Sequence, residues 1–273
     1  MKINQRQKAR VLLAVAIIFL TAVAVSGSLL REEAMVTDFS RKNIAPCLQY
    51  PFGTDWLGRN MFYRTLTGLS MSILIGISAA AVSAVLAMIL GIAAAALGKR
   101  ADLAITFVID MILGIPHILL LILISYAMGK GLKGVIVGVA LTHWTSLARL
   151  IRGEVMQLRE SEYILIAEKL GHSKLKIAVK HMVPHLLPQF LVGLVLMFPH
   201  AILHESSITF LGFGLSVEQP AIGIILSESM KYLIMGKWWL ALFPGMMLVL
   251  TVVLFDLGGE SLRKILDPSS VHE

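Results

Sequence analysis

Apolar residues in this chain gather in runs too long to be the buried stripe of a soluble helix, and short polar stretches separate them. A helix needs about 20 such residues to cross a hydrocarbon layer of about 30 Å. Six runs are of that order: residues 11–30, 71–97, 103–128, 135–151, 187–208 and 239–257. The third contains Pro116 and the fifth Pro199. Such breaks are tolerated where neighbouring helices or a cavity satisfy the backbone groups that a proline frees. The pattern predicts an all-α membrane protein with six transmembrane helices.

Composition agrees with that. The chain has 273 residues, 57% hydrophobic and 15% charged, with mean hydropathy +0.80. Soluble domains carry about 25% charged residues. The length suits one polytopic bundle. A net charge of +7 in a soluble protein would raise nucleic acid as a partner. Here the basic residues sit at the ends of the apolar runs, where the positive-inside rule places them, and no nucleic acid is expected. Lys2, Arg6, Lys8 and Arg10 precede the first run, Lys99 and Arg100 follow the second, and Arg263 and Lys264 follow the last. Arg149, Arg152, Arg159, Lys169, Lys174, Lys176 and Lys180 lie in and around the fourth connection. All fall on one side if both termini are cytoplasmic, so the orientation expected is N-in and C-in. Lys2 to Arg10 with Ala24-Val25-Ser26 also has the outline of a cleaved signal peptide. The apolar run continues to Leu30, past that point, which favours a retained first helix. The lone cysteine, Cys47, has no intrachain partner and reads as an incidental thiol.

These rules divide the chain into a cytoplasmic tail (1–10), a first helix (11–30), an extracytoplasmic loop (31–70), a five-helix core (71–262) and a second tail (263–273). In the loop, Pro51 and Gly53 mark a turn and Asp55 is a candidate cap for a helix. Phe62, Leu66 and Leu69 give that helix an apolar stripe suited to the membrane interface. The other polar stretch is an island between two apolar runs. From Glu162 to Pro188 it carries Glu168, Lys169, Lys174, Lys176 and Lys180, with Gly171 and Pro184 as punctuation. A charged, helix-forming segment between membrane spans is a surface for a soluble partner; without a partner it would be an amphipathic interfacial helix.

This island resembles the cytoplasmic loop of bacterial ABC importer permeases. Ala167 stands at the second alanine of the family's Glu-Ala-Ala motif, Gly171 at its glycine, and Val183-Pro184 at its ending. Leu165, Ile166 and His181 depart from the pattern. Gly53-Thr54-Asp55-Trp56-Leu57-Gly58-Arg59, Phe210-Leu211-Gly212-Phe213-Gly214, Leu240-Ala241-Leu242-Phe243-Pro244-Gly245 and Asp267-Pro268 resemble, in order, segments of the dipeptide/oligopeptide/nickel permeases. The resemblance implies a type I importer-like permease in a bacterial or archaeal cytoplasmic (inner) membrane. It implies a second homologous permease, two cytoplasmic ATPase subunits and an extracytoplasmic solute-binding protein as partners. It also implies a coupling helix within about 160–175, with Tyr163, Leu165, Ala167, Gly171 and Lys174 serving the ATPase contact. No Walker A pattern occurs, so ATP and Mg belong to the partner subunits and this chain is expected to bind no cofactor. A non-transporting membrane scaffold is the alternative of a different class.

Polar residues inside the spans are the remaining candidates, because a charge at mid-bilayer costs about 2.5–3.5 kcal/mol on insertion scales. Asp110 would line the solute path or pair with an arginine. Gly134 and Gly138 form a GxxxG packing motif. His200 and His204 lie one helical turn apart on one face, and neutral imidazoles suit nickel, cobalt, copper or zinc. Glu205 is adjacent but turned aside. In the resembled family a glutamate here is common and the span borders the translocation path, so Asp110, His200, His204 and Glu205 are the path candidates. His117 and His143 have no spacing that supports a site. The fourteen methionines are dispersed and read as packing. The histidine pair tilts the expected solute toward nickel or a related metal, free or chelated, with short peptides as runner-up.

Overall fold

The computed structural model describes residues 5–266, so Lys2 and Asp267-Pro268 lie outside the described residues. Five of its helices are long and apolar enough to cross a membrane. A bent pair makes a sixth crossing if its two halves count as one span. The first is α1 (Gln5–Leu29), which lies against α2 (Met61–Ala96). No separate interfacial helix forms: the stripe of Phe62, Leu66 and Leu69 is the first turns of α2. Met61–Ala96 contains no proline, so nothing stops the helix between the polar turns and the apolar run. Asn60, and not Asp55, caps it, accepting hydrogen bonds from the backbone N–H groups of Phe62 and Tyr63.

The expected third span is two helices, α3 (Lys99–Gly114) and α4 (His117–Ala127), bent by 100°. Ile115 is extended, with φ −95° and ψ 136°, as the residue before a proline prefers. The Pro116 carbonyl then accepts from the N–H groups of Leu119 and Leu120, starting the new helix. Next comes α5 (Gly131–Arg159), which packs along α2 in the broadest helix contact of the fold. Ala80, Ser83, Ala84, Ala87 and Gly91 are buried on α2, and small residues let two backbones close. A Cβ on Gly91 would come within 2.8 Å of the Ala148 carbonyl oxygen. The GxxxG pair works the same way against α4: a Cβ on Gly134 would meet the Ser125 carbonyl at 2.7 Å.

The polar island folds as α6 (Glu162–Lys169), a tight turn and α7 (Lys174–Ile177). A π-turn over Ala178–Met182 leads on into α8 (Val183–Phe210). The widened turn sits where Pro184 would otherwise press its ring on the carbonyl four residues back and leave it without a donor. The expected fifth span is therefore the far part of one 37-residue helical run, Lys174–Phe210. The chain closes with α9 (Ile222–Leu233) and α10 (Trp239–Leu266), the latter packed on α1 and α8.

Hydrogen bonds define the two ends of the bundle. At one end the turn after α4 meets the turn after α8, where Gly131 N–H donates to the Gly214 carbonyl at 3.0 Å. The loop before α2 belongs to this end, since Arg64 reaches Glu228 of α9. At the other end Arg159 donates to the Ala95 carbonyl at 2.6 Å, and α6 lies beside that contact.

Candidate functional site

Three histidines from three helices meet inside the bundle. His117 is the first residue of α4, His143 lies in the middle of α5, and His204 lies on α8. Their ring centroids are 4.4 Å apart for His117 and His204, 4.7 Å for His117 and His143, and 5.0 Å for His143 and His204. One ring nitrogen from each lies within 4.8 Å of the others. The break at Pro116 makes this possible, because it aims the start of α4 across the bundle. The Nδ1 of His143 is 3.0 Å from the Val139 carbonyl oxygen and 3.1 Å from Thr142 Oγ1; in the tautomer with the proton on Nδ1, that proton goes to the carbonyl and Nε2 keeps a lone pair. The Nε2 atoms of His117 and His143 are buried with no hydrogen-bond partner.

The expected pairing of His200 with His204 changes accordingly. His204 joins the trio; His200, one turn earlier, is exposed and outside it. A lone helix can offer only its own face, whereas the cluster borrows its other ligands from α4 and α5. Glu205 is turned about 100° from His204 around the helix axis, as consecutive helical residues are, and is 0% exposed. It accepts from Thr209 Oγ1 at 3.0 Å and Ser206 Oγ at 3.3 Å, so it sits within the bundle and not on the His200 face. Asp110 pairs with Arg149 at 2.7 Å, with both side chains more than half exposed. A second ion pair joins Asp102 to Arg152, one contact being Arg152 Nη2 to Asp102 Oδ2 at 2.7 Å. The two pairs tie α3 to α5 on a face that the chain itself leaves open.

The island has a defined shape. Gly171 has φ +78°, its N–H donates to the Glu168 carbonyl, and the His172 N–H donates to Ala167. This pair of bonds is a Schellman cap, whose left-handed residue is usually glycine. Tyr163, Leu165, Ile166, Leu170 and Leu175 are exposed on the island, with Lys174 exposed beside them. Ala167 differs from the expectation. At 5% exposure it faces inward with Ile164, because the two lie three residues apart on one side of α6. Its small side chain seats the helix and does not present a contact. Lys176, then desolvation, His181 and Lys180, hold the His172 imidazole below its ordinary pKa, which marks the surface as cationic.

The loop before α2 is closed by a buried ion cluster. Asp55 is 0% exposed and its Oδ2 accepts from Arg59 Nε and Arg64 Nη1, both at 2.7 Å. Arg64 Nη2 continues to Glu228 Oε2 at 3.0 Å, and Trp56 stacks on Tyr232 with centroids 4.5 Å apart. Both arginines also lie over the Trp56 ring. Asp55 therefore fastens the loop to α2 and α9.

A helical bundle of this kind, with five helices long and apolar enough to cross a membrane and a bent pair besides, has the build of a multi-pass membrane protein. The chain belongs to the family of binding-protein-dependent transport system inner membrane components, whose model matches residues 87–271. It is similar to the dipeptide transport system permease protein DppC of Bacillus subtilis (strain 168), at 32% identity over 253 residues, 92% of this chain and 79% of that protein. It is similar also to the nickel transport system permease protein NikC of Escherichia coli (strain K12), at 30% identity over 239 residues, 86% of this chain and 85% of that protein. Its fold resembles one chain of the MetNI methionine ABC transporter in an inward-facing conformation. There the TM-score is 0.61 at 16% identity, over 76% of this chain and 98% of that chain. The protein is thus a permease subunit of an ABC importer of the peptide/nickel family, and such subunits have no ATPase site of their own.

Proposed function

We propose that this chain forms half of the translocation pathway of an importer for a divalent transition metal, nickel foremost, carried free or as a chelate. The observation that carries the reading is the meeting of His117, His143 and His204 from three helices. Imidazole is a ligand of choice for nickel, copper and zinc, and a peptide carrier has no evident use for three clustered imidazoles in an apolar span. His200, exposed one turn away, and the Asp110–Arg149 pair would face the same path. The chain would pair with a second permease, two ATPases that bind ATP and Mg, and an extracytoplasmic binding protein. Both termini would be cytoplasmic, as would the island. ATP-driven closure of the partner subunits would then pull on α6 through its exposed apolar side chains.

Short peptides are the second reading, favoured by the likeness to DppC over most of the chain. Whole-cell uptake of radiolabelled nickel and of a labelled dipeptide, in wild type and in a strain lacking this chain, separates the two. Loss of nickel uptake with dipeptide uptake intact is the expected result. Loss of dipeptide uptake with nickel uptake intact would make this a peptide permease.

A further inference from the structure

We infer that His117, His143 and His204 together form a three-nitrogen binding site for a divalent transition metal, in which the protein supplies one side of the coordination sphere. For its part in transport this rests on the metal reading above; for binding it rests on the three side chains alone.

Geometry comes first. The ring nitrogens lie within 4.8 Å of one another. Nitrogens bonded to a tetrahedral metal at about 2.0–2.1 Å stand about 3.4 Å apart, so the rings need close by no more than about 1.5 Å. Small χ rotations supply that without moving a helix. One ligand has an anchor for its far nitrogen: with the proton on Nδ1, the Val139 carbonyl accepts it and leaves the Nε2 of His143 to ligate. A backbone carbonyl on the far nitrogen is a usual outer partner of a metal-bound imidazole. The buried, unpartnered Nε2 atoms of His117 and His143 point the same way. Polar atoms left unsatisfied in an apolar interior are costly, and a metal ion satisfies them together.

Chemistry then narrows the ligand. Three neutral nitrogens with no carboxylate among them disfavour calcium and magnesium, which prefer oxygen. Nickel, cobalt, copper and zinc suit the set. Three ligands fill neither a tetrahedral nor an octahedral sphere, so the open positions fall to water or to donors that travel with the metal. A chelated ion would thus exchange part of its chelator for imidazoles without ever being stripped. The Glu205 carboxylate lies outside the cluster and is engaged by Thr209 and Ser206.

The test is metal binding by the full chain, purified in detergent with its partner subunits. Equilibrium dialysis against Ni²⁺ should give one more site per chain in wild type than in a His117→Ala/His204→Ala variant. His143→Ala should weaken that site by at least about tenfold, since even the outer partners of metal ligands cost 10–100-fold when lost. His185→Ala, at an exposed histidine near the start of α8 and outside the cluster, should leave it unchanged. Because alanine variants can misfold, His143→Cys supplies a second readout: added Co²⁺ should produce a thiolate-to-metal charge-transfer band in the near ultraviolet. Retained nickel stoichiometry in the double variant, equal loss in His185→Ala, or no such band in His143→Cys would each overturn the site. Nickel uptake that survives loss of binding would sink the site's part in transport and leave the binding site itself standing. Dipeptide uptake in place of nickel uptake would sink that reading and leave the measured binding standing.

Discussion

At the scale of single residues, what matters most is where charge is placed in a medium that penalises it. Asp55, Arg59, Arg64 and Glu228 resolve the conflict by mutual pairing in a buried cluster. Breaking such a cluster from one side leaves the other charges without a partner, at about 3–5 kcal/mol. Asp55→Ala leaves Arg59 and Arg64 with Glu228 alone between them and should lower the thermal midpoint in detergent markedly. Glu228→Gln should cost less, because Glu228 keeps partial access to solvent and Arg64 keeps Asp55. An Asp55→Ala protein that melts with wild type would show that the cluster does not hold the loop. The intramembrane histidines follow a different logic. Each is separately affordable as a neutral ring, and they acquire meaning only as a group.

At the scale of elements, local rules account for much of the outcome and fail at identifiable places. The apolar runs are legible because a span is a local property of about 20 residues. The bend at Pro116 was visible as a proline, but its size was not, because 100° depends on what α4 packs against. The starts of α2 at Met61 and of the long run at Lys174 were hidden, since a hydrophobicity count stops where polar helical turns begin. The histidine cluster was the least legible feature. His200 and His204 share a helix and drew notice; His117 and His143 come from distant segments that only the packed bundle brings to His204. The one available signal was that imidazoles recur within three separate apolar runs. The island is the reverse case, a local motif with a local shape. Gly171→Pro removes the N–H that bonds Glu168 and forbids φ +78°, so it should unmake the turn after α6. Ala167→Glu forces a carboxylate into a 5% exposed seat and should lift α6 from the bundle. In the reconstituted complex, both variants should lose most solute-stimulated ATP hydrolysis while still inserting in the membrane. Unchanged stimulation in both would remove α6 from the coupling route.

At the scale of the whole molecule, orientation is the property on which the remaining argument turns. The histidine cluster lies inside the bundle and is neutral to orientation, but the island can couple to ATPases only if it faces the compartment that holds them. Charge placement favours that arrangement. Lys99, Arg100, Arg159, Lys169, Lys174, Lys176 and Lys180 gather at the α6 end, where the positive-inside rule requires a cytoplasmic face. The opposite end carries the ion-clamped loop, which holds the chain's single cysteine, Cys47, exposed. One native thiol at one end is a direct reporter. A membrane-impermeant maleimide should label Cys47 in right-side-out vesicles and leave it untouched in sealed inside-out vesicles. Cys47→Ala combined with His172→Cys moves the only thiol to the island and should reverse the pattern, because His172 lies in the turn between α6 and α7. If Cys47 is labelled only from the cytoplasmic side, the island faces outward, and no cytoplasmic ATPase can engage it. Coupling through α6 would then be lost as an account of this protein, whatever the solute.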